Sequence, residues 1–256
     1  MEMFRCVQVE HLEVRIYENR AAMGAAAAVQ AAGWIREVAD KKDEINIIFA
    51  SAPSQNEFLD ALGAMQLPWQ RVNAFHMDEY IGIPADAPQG FANFLRRSIF
   101  NKLTLKGEYY MDSEAEPAAE CKRYSDLLLR YPADIIFMGI GENAHIAFCE
   151  PSSAFLNDPE TVKIVALDEA SRKQQVNDKC FPAIDDVPKH ALTITVPVML
   201  RVPHMMLVVP SKLKANAIKN AVRGQIDEKI PASLIRTREN QAPAILFTDE
   251  DGAVFL

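Results

Sequence analysis

The chain of 256 residues has no CxxC pair, no uninterrupted apolar run of membrane length and fewer positive than negative side chains. Its four cysteines, Cys6, Cys121, Cys149 and Cys180, lie far apart, and reduced thiols in a cytoplasmic protein are the expectation. The most apolar stretch, Ala21 to Ile35, is about five residues short of a span, is interrupted by Gln30 and is flanked by Arg20 and Arg36. Charged residues in a strand-like pattern precede it, which speaks against a secretory signal, so no membrane partner is expected. Lysine and arginine total 27 against 35 aspartates and glutamates, a formal net charge of −8 with a pI near 5.2. Bulk charge of that sign argues against a protein that wraps nucleic acid. It leaves room for a small anionic ligand held in a local cationic pocket.

What is present is ordinary globular usage, 49% hydrophobic and 24% charged, which excludes disordered, collagen-like and coiled-coil chains. A chain of this length buries about 70–75% of the surface its unfolded form exposes and needs no staples. Short β-branched runs recur at Ile45 to Ala50, Val72 to Phe75, Asp134 to Met138, Val162 to Ala166, Leu192 to Val196, Met205 to Val209 and Ala244 to Phe247. Helical periodicity lies between them, near 19–41, 55–65, 90–102, 114–130 and 212–223. Apolar strands alternating with helices predict an α/β fold with a largely parallel sheet. The alanine-rich stretch reads as a buried helix whose small side chains allow close packing. No repeat, linker or composition shift divides the chain, so one domain spanning 1–256 is expected, with Gly82–Gln89 as a surface loop.

Open α/β sheets bind ligands at the carboxyl ends of their strands, which directs attention to four loops. Ser51-Ala52-Pro53-Ser54 follows the first run, where Ser54 and Glu57 fit a capping box, and a helix start with free N–H groups is equally a phosphate site. His76-Met77-Asp78-Glu79-Tyr80 follows the second; two adjacent carboxylates there are costly to bury, so at least one faces a cleft or water. Gly139-Ile140-Gly141-Glu142-Asn143-Ala144-His145 follows the third and is not a dinucleotide fingerprint. His145 and Glu150 suit an acid and its orienting carboxylate, and the local spacing supplies no third ligand for a metal. Pro210-Ser211-Lys212-Leu213-Lys214 follows Met205 to Val209, with Ser211 as an N-cap. Lys214 sits against its own helix dipole, a placement that an anion sharing the site would explain.

Two motifs, Phe75-His76-Met77-Asp78-Glu79-Tyr80 and Gly139 to Pro151 with its His145-Ile146-Ala147-Phe148-Cys149-Glu150 core, occur with Val187-Pro188-Lys189-His190-Ala191-Leu192-Thr193 and the Lys214 helix. Together they resemble the glucosamine-6-phosphate deaminase (isomerase) family, which is related to the 6-phosphogluconolactonases. Tyr80 and Glu150 favour the deaminase branch. The resemblance implies a modified Rossmann-like, three-layer α/β fold that converts an amino-sugar phosphate to a ketose phosphate and ammonia without a cofactor or metal. It implies Asp78 as the base that moves the C2 proton toward C1, His145 as the group assisting ring opening, and Glu150 as the residue orienting that imidazole. It implies a phosphate site from Ser51, Ala52 and Ser54, Lys214 and a basic residue between Ala170 and Lys179. Arg172 is preferred there over Lys179, because a guanidinium grips phosphate bidentately. Asn143, Glu79 and Gly141 complete the expected site.

The chain departs from the family pattern at several of these positions. Asn143 stands where the family has aspartate, so the imidazole loses a neighbouring charge. Ala52 and Pro53 replace consecutive glycines, and the proline removes a backbone donor. Cys149 replaces asparagine, and Ala144 replaces glycine. The expected substrate is glucosamine 6-phosphate or a close isomer such as galactosamine 6-phosphate. A phosphosugar lactonase and a non-catalytic sugar-phosphate-binding protein are the alternatives. The family includes monomers and hexamers, so a homo-oligomer is open.

Overall fold

The computed structural model describes residues 3–239 and 241–256. Eight strands form one sheet: β1 (Arg5–Val9), β2 (Leu12–Tyr17), β3 (Ile45–Phe49), β4 (Val72–His76), β6 (Gly107–Tyr109), β7 (Ile135–Met138), β10 (His204–Val208) and β11 (Ala244–Asp249). Their spatial order is β1-β2-β11-β10-β7-β3-β4-β6, and every neighbouring pair is parallel except β1 with β2. β3, β4 and β7 are buried along their whole length and are mostly apolar, the exceptions being the buried Asn46, Asn73 and His76.

Alternate residues of these strands serve opposite layers. Ile47, Phe49, Ala74 and Phe137 face a core built with α1 (Arg20–Ala39), α2 (Asn56–Gly63) and α3 (Phe91–Ser98). Ile48, Phe75, Ile136 and Met138 face a second core with α4 (Pro117–Arg130), α6 (Val196–Leu200) and α7 (Ala215–Arg223). Helices on both faces of a mostly parallel sheet give the expected three-layer α/β architecture. No helix among the described residues is long and apolar enough to cross a membrane.

The alanine-rich α1 packs closely on α2. A Cβ at Gly24 would stand 2.7 Å from the Glu57 Cβ, so only glycine permits this approach. Arg20 closes the contact with a two-pronged pair to Glu57, both bonds 2.8 Å. The capping box expected of Ser54 and Glu57 therefore does not form. A 3₁₀ turn over Pro53–Gln55 precedes α2, the Ser54 hydroxyl accepts from Gln55 Nε2 at 3.0 Å, and the Glu57 carboxylate is drawn to Arg20.

Three strands form a second, antiparallel sheet in the order β5-β9-β8: β5 (Asp78–Tyr80), β8 (Val162–Ala166) and β9 (His190–Ile194). The run expected as Leu192 to Val196 is thus a strand two residues earlier. Thr195 leaves the ladder, its hydroxyl donating to the Glu160 carbonyl, and Val196 opens α6. Between β8 and β9 lies α5 (Glu169–Asn177). A small core of Tyr80, Phe91, Phe148 and Phe181 backs this sheet, with Tyr80 and Phe91 ring centres 4.7 Å apart.

The connections fix where a ligand would lie. From β3 the chain steps outward through β4 to β6, then returns across β3 to β7 and steps the other way through β10 to β11. The reversal falls between β3 and β7, and the loops leaving their carboxyl ends border a crevice, the usual ligand site of an open α/β sheet.

Candidate functional site

The crevice is a cavity of about 490 Å³ at the carboxyl ends of β3, β4, β7 and β10, four neighbouring strands. All four loops singled out from the sequence contribute to its lining. Ser51, Ala52, Pro53 and Ser54 come from the first, Asp78 from the second, Gly141 and His145 from the third, and Ser211 and Lys214 from the fourth. The Ser51 hydroxyl is buried and has no hydrogen-bond partner among the described residues.

Asp78 opens β5 opposite Thr193 and is 7% exposed. Burial pushes its carboxyl well above the usual range, and the neighbouring Glu79 adds to the shift. Strand alternation sends Glu79 to the other face. There its carboxylate accepts from the backbone N–H groups of Tyr80 and Phe91 at 3.0 Å and of Ala92 at 2.9 Å, capping the start of α3. Glu79 does not line the cavity and is a structural cap, a correction to its expected place in the substrate site. Its own carboxyl is pushed up to about 7 by burial.

His145 is 7% exposed and rests over Gly141, where any Cβ would overlap the ring. The loop reaches this position through left-handed backbone at Ala144, φ 67°, the position where the family pattern has glycine. The Ala144 carbonyl, accepting from the Ala232 N–H at 2.9 Å, holds it there. His145 Nδ1 lies 2.7 Å from Asn143 Oδ1 and 2.8 Å from the Ser171 hydroxyl. Glu150 is 3.6 Å from the same nitrogen, beyond hydrogen-bond reach, and instead accepts from Asn143 Nδ2 at 2.9 Å. Glu150 therefore reaches the imidazole through Asn143, with no direct hydrogen bond of the kind expected. Burial, and then Lys214, push the imidazole down to about 3, so the ring is neutral near pH 7. Burial pushes Glu150 up to about 7.

Lys214 stands immediately before α7, 8% exposed, and makes no ion pair among the described residues. Burial lowers its ammonium, with Asp178 and Glu142 opposing. Its loop passes through Ser211 at φ 91°, a left-handed conformation rare for serine. Asp249 at the end of β11 fixes that turn, accepting from the N–H groups of Ser211 (2.9 Å) and Gly252 (2.8 Å). The Ser211 hydroxyl accepts from the Leu213 N–H at 3.3 Å, as a cap.

Arg172 is not brought to the cavity. Its guanidinium donates to the carbonyls of Ile184 (2.6 Å) and Val187 (3.3 Å), tying α5 to the segment before β9. Lys179, two residues beyond α5 with φ 61°, lines the cavity in its place. Sequence reasoning missed the rest of this helix. Gln174, Gln175 and Asp178 also line the site, Gln174 accepts from the Glu142 N–H at 2.8 Å, and Ser171 touches His145. The available signal was polar periodicity at 171, 174, 175 and 178, an i, i+3, i+4, i+7 face without an apolar residue. Arg20, paired with Glu57, reaches the cavity from the start of α1 and donates to the Pro53 carbonyl at 3.1 Å. No cluster of three or more His, Cys, Asp or Glu side chains arranged for a metal ion occurs among the described residues.

The site thus combines a buried carboxyl, a neutral imidazole with Nε2 left for the cavity, and lysines at a serine-bearing loop. Such a set can move protons between adjacent atoms of a bound anion. Residues 18–244 match the family model for glucosamine-6-phosphate isomerases and 6-phosphogluconolactonases. The chain is 31% identical over 207 residues to a glucosamine-6-phosphate deaminase of Bacillus cereus (strain B4264), covering 80% of this chain and 77% of that one. It is 33% identical over 192 residues to the corresponding deaminase of Lactobacillus delbrueckii subsp. bulgaricus, covering 75% and 80%. Among solved structures it superposes on a monomeric glucosamine-6-phosphate deaminase with a TM-score of 0.86 at 26% identity, covering 95% of this chain and 99% of that chain. A 6-phosphogluconolactonase from Thermotoga maritima shares the fold at a TM-score of 0.74 and 14% identity, with 92% and 98% covered.

Proposed function

The chain belongs to the family of glucosamine-6-phosphate isomerases and 6-phosphogluconolactonases and is an enzyme of the deaminase kind, and from that premise we propose that it converts glucosamine 6-phosphate, or a close isomer, and water to a ketohexose 6-phosphate and ammonia. The observation that carries the reading is the meeting of Asp78 and His145 on one cavity whose other loops bring Ser51, Ser54, Lys179 and Lys214.

The chemistry needs two proton-moving groups with different duties. Ring opening moves a proton from the anomeric hydroxyl to the ring oxygen. A neutral imidazole with a free Nε2 can accept the first and return it to the second. Isomerisation then moves a proton from C2 to C1 of the open chain while one proton passes from the amino nitrogen to O1, leaving a C1 alcohol and an imine at C2. One carboxylate that reaches both adjacent carbons suffices, and Asp78 has that role. Water adds at C2 and ammonia leaves, so the atoms of sugar, water, ketose and ammonia balance. Lys214, Lys179 and the serine hydroxyls hold the phosphate end, giving binding remote from the reacting carbons that positions C1 and C2. Pro53 offers no N–H to that phosphate, so hydroxyls and lysines carry more of its recognition than a glycine loop would.

The direct test follows ammonia and ketohexose 6-phosphate together from glucosamine 6-phosphate, with Asp78→Asn as control. Both products appearing in equal amounts, and disappearing with the variant, is the expected result. Turnover of a phosphosugar lactone without ammonia would move the chain to the lactonase branch. A melting point raised by the sugar phosphate without turnover would make it a binding protein.

A further inference from the structure

Gln55 ends the 3₁₀ turn over Pro53–Gln55, is 1% exposed, and links two of the elements that lead into the cavity. Its Nε2 donates to the Ser54 hydroxyl at 3.0 Å and to the carbonyl of Val208, the last residue of β10, also at 3.0 Å. Between β3 and β10 lies β7, whose ladder with β10 ends at Met138 opposite Leu207. A Cβ at Gly139, the next residue, would stand 3.5 Å from Gln55 Nε2 and 3.7 Å from Ser54 Oγ. The amide therefore passes over the carboxyl end of β7, where the strand order reverses.

Donor and acceptor chemistry sets what this amide does. Turned over, it would set its oxygen against the Val208 carbonyl oxygen, so the backbone fixes its orientation. That orientation leaves Gln55 Oε1 buried without a partner among the described residues. An apolar side chain of the same length would carry no such cost, so packing alone gives no reason for glutamine here. Nε2 can only donate, so Ser54 Oγ accepts and keeps its own hydrogen for another acceptor. Ser54 lines the cavity together with Ser51, Lys179 and Lys214, and the oxygens of an anion are acceptors only.

We infer that Gln55 is a positioning residue for the anion end of the site: anchored on the Val208 carbonyl, it commits the Ser54 hydrogen to an oxygen of a bound phosphate. Pro53 gives this loop no N–H to offer, and a hydroxyl turned in advance supplies a donor in its place. That the phosphate belongs to an amino sugar rests on the deaminase reading; the direction of the amide and hydroxyl belongs to the resting protein.

The test uses the full chain as wild type, Gln55→Met, Ser54→Ala and the double variant. Calorimetry gives the Kd for inorganic phosphate and for glucosamine 6-phosphate, and melting temperatures check folding. Gln55→Met keeps length and bulk but frees the hydroxyl, and should weaken both ligands about 3–10-fold, the cost of fixing one side chain on binding. Ser54→Ala removes a hydrogen bond to a charged group and should weaken them about 10–100-fold. Added to Ser54→Ala, Gln55→Met should cost less than about a further twofold, because the amide acts through that hydroxyl. In turnover the losses should appear in KM more than in kcat. An amide that only holds the fold would cost the same factor with or without the Ser54 hydroxyl, and that result would overturn the inference, as would unchanged phosphate affinity in Gln55→Met. A second measurement needs no Gln55 variant. With ¹⁵N-labelled glutamine, inorganic phosphate should move one Gln55 Nε2 hydrogen downfield in the wild type, because a donating hydroxyl is a stronger acceptor, and should not do so in Ser54→Ala. Identical responses in the two would also overturn the inference. A wild type that binds inorganic phosphate but releases no ammonia would overturn only the deaminase reading. One that binds neither phosphate nor the sugar phosphate would overturn both.

Discussion

At the scale of single residues, the environment of each titrating group decides its duty. Asp78 is buried and its carboxyl is raised, so its ionised, basic form grows in as pH rises through that elevated value. The acidic limb of kcat/KM should therefore lie above the usual carboxylate range, measured against an unperturbed substrate analogue series. Asp78→Asn should lower kcat by roughly 10²–10⁴-fold, the usual contribution of a general base, while sugar-phosphate binding followed by calorimetry persists. His145 is neutral because burial, reinforced by Lys214, disfavours its charged form, and Asn143 adds no charge to oppose this. Asn143→Asp should raise the imidazolium pKa from about 3 by about 1–3 units, read by NMR titration of the ring. An unmoved titration would mean that Glu150 already supplies the field. That Asp78, Asn143 and His145 sit at the crevice was legible in the sequence because each follows a largely apolar strand, at the carboxyl end where an open sheet meets a ligand. Glu79 was misread for a related cause: its neighbour Asp78 shares the strand end, and only the pleat separates their faces.

At the scale of elements, legibility tracks apolar periodicity. The fully buried strands β3, β4 and β7 announce themselves as mostly apolar stretches despite Asn46, Asn73 and His76, whereas three-residue strands such as β5 and β6 are too short to do so. α5 gave no hydrophobic signal because its inward face is Ser171, Gln174 and Gln175, and only its polar periodicity marks it. With no face marked by the pattern, Arg172 was preferred over Lys179 on guanidinium–phosphate chemistry alone. The two now separate experimentally. Lys179→Ala should raise KM for the sugar phosphate with little change in melting temperature. Arg172→Ala should lower the melting temperature by releasing two carbonyl contacts, while the KM effect stays small. The α1–α2 contact makes a further claim. Gly24→Val forces a branched side chain against the Glu57 Cβ and should destabilise the fold by about 1–3 kcal/mol in denaturant titrations.

At the scale of the whole molecule, two buried carboxyl groups tie folding to pH. Glu79 and Glu150 both stand at about 7 in the folded chain against an ordinary 4.5. Between those values the unfolded chain loses protons that the folded chain keeps, so stability falls as pH rises from about 4.5 to 7 through these two groups. Glu79→Gln should flatten that slope in urea titrations run across the range.

The site also draws on two sheets at once. His145 and Lys214 hang from the eight-stranded sheet, while Asp78 belongs to the three-stranded one, whose β8–β9 connection carries Ser171 and Lys179. The smaller sheet sends Tyr80, Val165 and Ala191 to a modest aromatic core and Val162, Leu192 and Ile194 to one of the large ones. Fraying of that minor sheet would remove Asp78, Lys179 and the imidazole's serine neighbour from the cavity in a single event. Catalytic competence then behaves as a regional property: in rising urea, turnover is lost at a lower concentration than the far-ultraviolet signal of the major sheet, and bound sugar phosphate draws the two transitions together.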